Sequence, residues 1–446
     1  MAGPLFVWGE GIKMALEGCE RQIFCVFLFC MEYFLYFCSV EYNNVEHVAL
    51  SITNMKIEYN KHRVEYLLSL FKMTAGELLS SINKGLKTPI TWEDIDSDKI
   101  ELNYLKRIDK VFNKGLLYYY DPSVPVKDKK LSVFFRKESF TSELNIGARK
   151  RVREFEDLKT QISTISIMSQ FDMKRVLRTY TLDENPKEVA FSLRETLLPV
   201  FNSVKRDYLK SFINKLGEYN ILVFEFVDTF NKKEKANIDG FYIGPNAIVL
   251  KRNQDALSRE IFTLCHELGH YLLDKEDVDE LDFAKVTDKN TDISDVEKWC
   301  NSFAYYLLLG SVNAQKLESI AQYDYHVDYG HDLVAGISRE TNLSRLAIFT
   351  NLFLQHRMTY TDYSNVREDL HEQYLARKER EQLEKENRIA AGEKINGRNP
   401  KPIQSNLVYD IYNYALNKGV VTEYEYCTAL NIKPNDISKV FYEGSH

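Results

Sequence analysis

The seven cysteines of this 446-residue chain show no regular spacing. That excludes the disulfide framework of a small secreted scaffold and points to a reducing compartment, the cytoplasm. Basic charge is not in excess either. Lys and Arg number 58 against 65 Asp and Glu, a formal charge of −7, so the chain carries no global footprint for nucleic acid. No internal repeat is apparent. Long apolar runs are scarce, and the clearest is Ile23 to Val40, 18 residues with Glu32 as its one charge. Glu32 would sit in the middle of a span, aromatics fill the run rather than its ends, and no small-residue cleavage site follows. The run therefore reads as an extension or a buried helix rather than a membrane anchor. The remaining composition, 44% hydrophobic and 28% charged, is that of a soluble globular protein with room for two to four modules.

The most informative feature is His266-Glu267-Leu268-Gly269-His270. Apolar residues Ile261, Phe262, Leu264, Cys265, Leu268, Leu272 and Leu273 recur around it at helical spacing, so the run lies in a helix. Residues i and i+4 share a helix face, and two imidazoles can then converge on one Zn²⁺ with Glu267 beside them to take a proton. A catalytic zinc usually takes three protein ligands. The best candidate for the third is Glu297, on a second helix from Asp295 whose packing face carries Trp299, Cys300, Phe303, Ala304 and Leu307. Asn301 is i+4 from Glu297 and can orient a ligand histidine. Cys265, Cys300, His326 and His331 are rival ligands. Cys265 points about 100° away from His266 around the helix, and both cysteines read better as small core residues. Candidate donors to the oxyanion are Tyr271, Tyr305, Tyr306, His326 and His331.

These residues resemble the ImmA/IrrE family of zinc metallo-endopeptidases. Arg259 to Leu273 is similar to the family signature F-T-L-A-H-E-L-G-H-x-L-L, with Cys265 in place of alanine. Glu297 to Ala304 is similar to E-x-x-A-N-x-F-A, with Cys300 in place of alanine, and Gly310 stands where the family has a small-residue or proline break. Ile221 to Phe224, Asp239 to Tyr242 and Ala247 to Leu250 resemble its three strands. The similarity runs from about Ser192 to Met358. Leu343 to Leu352 continues it, with Asn351 where arginine is expected. The resemblance implies a zincin-like domain, one zinc per chain on His266, His270 and Glu297, Glu267 as the base, and a repressor-type protein as substrate.

The fold expected is α+β and mostly helical, a zincin-like catalytic domain flanked by helical modules. Residues 1–54 form the apolar extension, and Met55 opens a stretch of ordinary composition, near where chains of this family typically begin. Residues 55–120 read as helices at Arg63 to Phe71, Thr74 to Ile82 (with Thr74 and Glu77 as a capping box) and Leu102 to Leu117. Their order resembles a worn helix-turn-helix domain, but Glu93, Asp94, Asp96 and Asp98 would face phosphates unfavourably. A protein-interaction module is favoured over DNA binding. Residues 121–190 are a linker with charged helices, Phe134-Phe135-Arg136-Lys137 resembling a joining segment of such fusions. The metallopeptidase domain spans 191–360. Residues 361–402 hold a mixed-charge, solvated helix and a flexible joint, and 403–446 form a small helical terminus that restarts at Gly419. The competing function is a DNA- or partner-binding regulator with a non-catalytic zinc site. An intact histidine–glutamate set favours the peptidase, because a purely structural zinc has no use for a base.

Overall fold

A computed structural model describes residues 56–71, 73–123, 144–228, 235–252, 256–276, 294–393 and 400–437. The run Ile23 to Val40 and the segment Phe134 to Lys137 lie outside the described residues. Among the described residues no helix is long and apolar enough to cross a membrane. The chain divides into two compact units, Met1–Val126 and Lys127–His446, and its class is mostly helical α+β, as expected.

In the first unit, β1 (Lys56–Glu58) is followed by α1 (Lys61–Leu70), α2 (Ala75–Ile82), α3 (Trp92–Ile95), β2 (Lys99–Glu101), α4 (Leu102–Phe112) and α5 (Leu116–Tyr120). β1 and β2 pair antiparallel with Ile57 opposite Ile100. The capping box of Thr74 and Glu77 opens α2. Between α2 and β2 the chain forms only a single turn, α3, capped by Thr91 and Asp94. The one long helix expected over Leu102 to Leu117 is instead two. Asn113 enters the left-handed region at φ 52° and Gly115 follows at φ 82°. Asp109 Oδ1 then accepts from the backbone N–H groups of Lys114 at 3.0 Å and Gly115 at 2.9 Å, so the freed donors are satisfied at the break.

The second unit begins with α6 (Ile146–Ser169), α7 (Pro186–Leu197) and α8 (Lys205–Gly217), then β3 (Leu222–Val227), β4 (Gly240–Ile243) and β5 (Ala247–Arg252). Helices α9 (Leu257–Leu273), α10 (Asp295–Glu318), α11 (Asp328–Thr341), α12 (Arg345–Leu354), α13 (Tyr360–Ala390), α14 (Asn406–Asn417) and α15 (Glu423–Leu430) follow. The sheet order is β3-β5-β4, with β5 parallel to β3 and antiparallel to β4. Side chains alternate across the sheet. Val223, Tyr242, Ile248 and Leu250 join the core built with α8, α9 and α10. Leu222, Phe224, Phe226, Phe241, Ile243, Ala247 and Val249 join a second core with α6, α14 and α15. Both faces are covered, so the strands read as near-continuous apolar runs. The C-terminal helices belong to this layered unit, since Leu407, Val408, Ile411 and Tyr412 are buried in the second core. Helix α13 buries only Tyr363 and Val366, and its mixed charges from 371 to 390 are exposed, as its pattern predicts.

Helix α10 breaks at Gly310, whose φ of 75° and ψ of 162° lie outside the helical region. The guanidinium of Arg194 donates to the carbonyl of Leu307 at this break. A Cβ at Gly310 would come within 2.9 Å of Arg194 Nε. That conformation is essentially restricted to glycine, so Gly310→Ala is expected to cost about 1–3 kcal/mol, measured by chemical denaturation. An unchanged midpoint would contradict the break.

Glu225 on β3 is buried beside the Arg252–Glu260 ion pair and accepts from the backbone N–H of Ile403. Arg252 donates to both oxygens of Glu260. Burial pushes the Glu225 carboxyl up to about 7 from an ordinary 4.5, outweighing Ile403 and Arg252. The folded chain therefore keeps a proton that the unfolded chain releases between these values. Stability falls as pH rises through this window and levels off above it. Glu225→Gln is expected to raise the melting temperature at pH 8, with the gain shrinking toward pH 5. A gain of equal size at both pH values would refute the assignment.

Candidate metal centre

Helix α9 lies between the sheet and α10, buried from Glu260 through Leu273. Two glycines set its distance from each neighbour. A Cβ at Gly240 on β4 would lie 2.7 Å from Thr263 Cγ2 and 3.2 Å from Glu267 Cγ. A Cβ at Gly269 would meet Cys300 Cα, Cβ and Sγ, each at 3.1 Å. The missing side chain at Gly269 thus lets the backbone of α10 approach, bringing Glu297 to the two histidines.

His266 Nε2 lies 3.1 Å from Glu297 Oε2, and His270 Nε2 lies 3.1 Å from Glu297 Oε1. The two Nε2 atoms are themselves 3.1 Å apart. All three residues are buried and form a group able to hold a metal ion. The other ring nitrogens determine the tautomers. His270 Nδ1 is 3.1 Å from the carbonyl oxygen of Lys275, and His266 Nδ1 is 3.0 Å from Asn301 Oδ1. Both are acceptors, so in the neutral rings Nδ1 carries the hydrogen. Two Nε2 lone pairs and a carboxylate then converge on one point, which is repulsive unless a cation sits among them. Donors about 2.0–2.2 Å from a tetrahedral ion lie roughly 3.3–3.6 Å apart, close to the triangle observed. The donor set fits a metal.

Without a metal, charge attraction between imidazole and carboxylate takes the cation's place. Burial pushes the Glu297 carboxyl up, but His266 and His270 outweigh it and hold the carboxyl well below the carboxylate range. Burial likewise opposes charge on His266, and Glu297 with Glu267 outweighs it, raising that ring. Glu267 is buried next to the triangle. Cys265 and Cys300 are buried core residues, and burial pushes both thiols up. Neither joins the donor group.

Residues 220–348 match the model of the IrrE N-terminal-like domain (Peptidase_M78). By this match the segment is similar to that metallopeptidase family. Nothing among curated proteins or solved structures matches the chain. The IrrE-like segment contains β3, β4, β5, α9 and α10 and all three donor atoms, whereas α6, α7, α8 and α13 to α15 lie outside it.

Of the residues proposed for the oxyanion, Tyr271, Tyr305, Tyr306 and His331 pack against aromatic neighbours. Tyr271 is buried with its ring edge-on to Tyr242 and covered by Arg175. Tyr305 is buried against Tyr306, and the Tyr306 hydroxyl accepts from Gln355. His331 sits among Tyr323, Tyr325 and Phe349, and His326 is exposed. None of these packing partners is a member of the donor triangle. Sequence reasoning missed the Lys275 carbonyl, which follows the left-handed Asp274 (φ 51°) at the end of α9 and has no signature in the sequence.

Proposed function

We propose that the protein is a zinc-dependent endopeptidase that cuts a specific repressor-type protein in the cytoplasm. The observation that carries the reading is the triangle of two Nε2 atoms and a carboxylate, with Glu267 buried beside it. Two imidazoles and one carboxylate suit zinc and leave a coordination position open. When bound, zinc would supply Lewis acidity to the scissile carbonyl and to the attacking water. Glu267 takes the proton from that water and returns it to the leaving amine. Asn301 and the Lys275 carbonyl hold the two rings so that Nε2, not Nδ1, faces the metal. Repressors as the substrate class follow from the resemblance to ImmA/IrrE proteins.

The test is incubation of the zinc-loaded protein with any helix-turn-helix repressor that a neighbouring gene proves to encode, using the wild type and Glu267→Gln. Cleavage by the wild type alone supports the reading. An intact repressor in both reactions, with a shifted DNA band, would instead favour a regulator with a non-catalytic metal.

A further inference from the structure

The last turn of α9 leaves carbonyl groups that its own helix cannot satisfy. Their partners come from the end of α9 itself and from residues 175–180, which lie outside the IrrE-like segment. Lys275 N–H donates to the His270 carbonyl at 3.0 Å, Asp274 N–H to Tyr271 at 3.1 Å and Tyr180 N–H to Leu272 at 2.8 Å. Arg175 joins these contacts. One arm of its fork donates to the Tyr271 carbonyl. The other lies 3.4 Å from the Pro245 carbonyl and 3.5 Å from Asp274 Oδ1. Its Nε donates to Leu177 at 3.0 Å, and its plane lies 3.9 Å over the Tyr271 ring. Tyr242 on β4 donates to the same Asp274 Oδ1 at 2.8 Å.

These contacts matter to the metal centre because Asp274 makes the left-handed exit of α9, with Lys275 next in the chain. That exit turns the Lys275 carbonyl back onto His270 Nδ1. We propose that Arg175 is a positioning residue for the metal centre, holding the α9 exit so that the Lys275 carbonyl keeps the His270 ring turned toward the ion. Its charge also suits the negative end of the helix. The geometry needs a planar fork with several donors, which lysine does not provide.

The inference rests on the metal-binding reading of His266, His270 and Glu297, and its test separates the two. Zinc affinity and the absorption spectrum of the cobalt-substituted protein are measured for wild type, Arg175→Ala, Arg175→Lys and Arg178→Ala, together with the melting temperature of each metal-free protein. Arg178 is a control from the same segment, stacked on Tyr180 and paired with Glu184. Loss of a group that orients a ligand histidine typically costs 10–100-fold in metal affinity. Both Arg175 variants are expected to lose affinity in about that range and to alter the cobalt spectrum, while Arg178→Ala retains wild-type values. Should Arg175→Ala fail to fold, the lysine variant, which keeps the charge and most of the stem, carries the test. Wild-type affinity in a folded Arg175 variant would overturn the proposal, even with a lowered metal-free melting temperature, because Arg175 would then only cap the helix. Equal loss in Arg178→Ala would also overturn it. Absence of metal binding in the wild type would instead remove the reading on which the proposal stands.

Discussion

Glu267→Gln is expected to leave about one metal ion per chain in place while peptide cleavage falls by roughly 10²–10⁴-fold, the usual contribution of a positioned acid–base group. Glutamine has nearly the same shape, so the close contact with β4 survives. Glu267 Cγ lies 3.2 Å from where a Cβ at Gly240 would stand, which leaves little space for a larger replacement. Among the described residues the donor triangle consists of His266, His270 and Glu297, and an amide at position 267 takes none of these ligands away. What it removes is the capacity to accept a proton and release it again. The measurement pairs elemental analysis with turnover of the cleaved substrate. Metal retained with turnover lost is the expected outcome. Wild-type turnover with metal retained would place the base elsewhere, and lost metal would mean that Glu267 takes part in holding the ion.

The sequence was most legible where a local pattern determines a local structure. Helical periodicity around His266 and His270 predicts α9, and the i, i+4 spacing of Glu297 and Asn301 places both on one face of α10. In the structure Asn301 Oδ1 lies 3.0 Å from His266 Nδ1. The three strand segments expected by resemblance correspond to β3, β4 and β5. Their order, with β5 in the centre and parallel to β3, was not legible, because it depends on how the chain crosses over rather than on any strand's own pattern. The partner of His270 was invisible for another reason. A backbone carbonyl carries no residue-type signature, and the one at Lys275 is placed by a turn. Arg175 lies far from the motif in sequence and looks like any loop arginine until the fold brings it to Tyr271. The oxyanion candidates show the converse limit. Aromatic and histidine residues near the motif in sequence were numerous, and residue type could not separate buried ones, such as Tyr305 and Tyr271, from exposed ones, such as His326.

Glu297→Gln is expected to abolish stabilisation by zinc while leaving the metal-free fold intact. In the wild type, a ligand that binds the folded state alone adds about 2.7 kcal/mol when present at 100 times its Kd, which appears as a higher melting temperature. Glutamine at 297 removes the negative charge that approaches both Nε2 atoms at 3.1 Å, and it changes the metal-free state as well. Its amide NH₂ can donate to one Nε2, supplying a hydrogen where the wild type needs a cation. Zinc must then displace that hydrogen bond and bind a weaker donor set, so both effects act against the metal. The loss should exceed the roughly 100-fold upper range for removal of a group that merely orients a ligand. Glu297→Ala is a poorer test, because it leaves a cavity among buried residues and two Nε2 lone pairs facing each other. Melting curves with and without zinc decide the matter. A zinc-induced rise in Glu297→Gln equal to that of the wild type would show that the carboxylate is not a ligand, and the close approach of α10 to α9 at Gly269 would then need a different explanation.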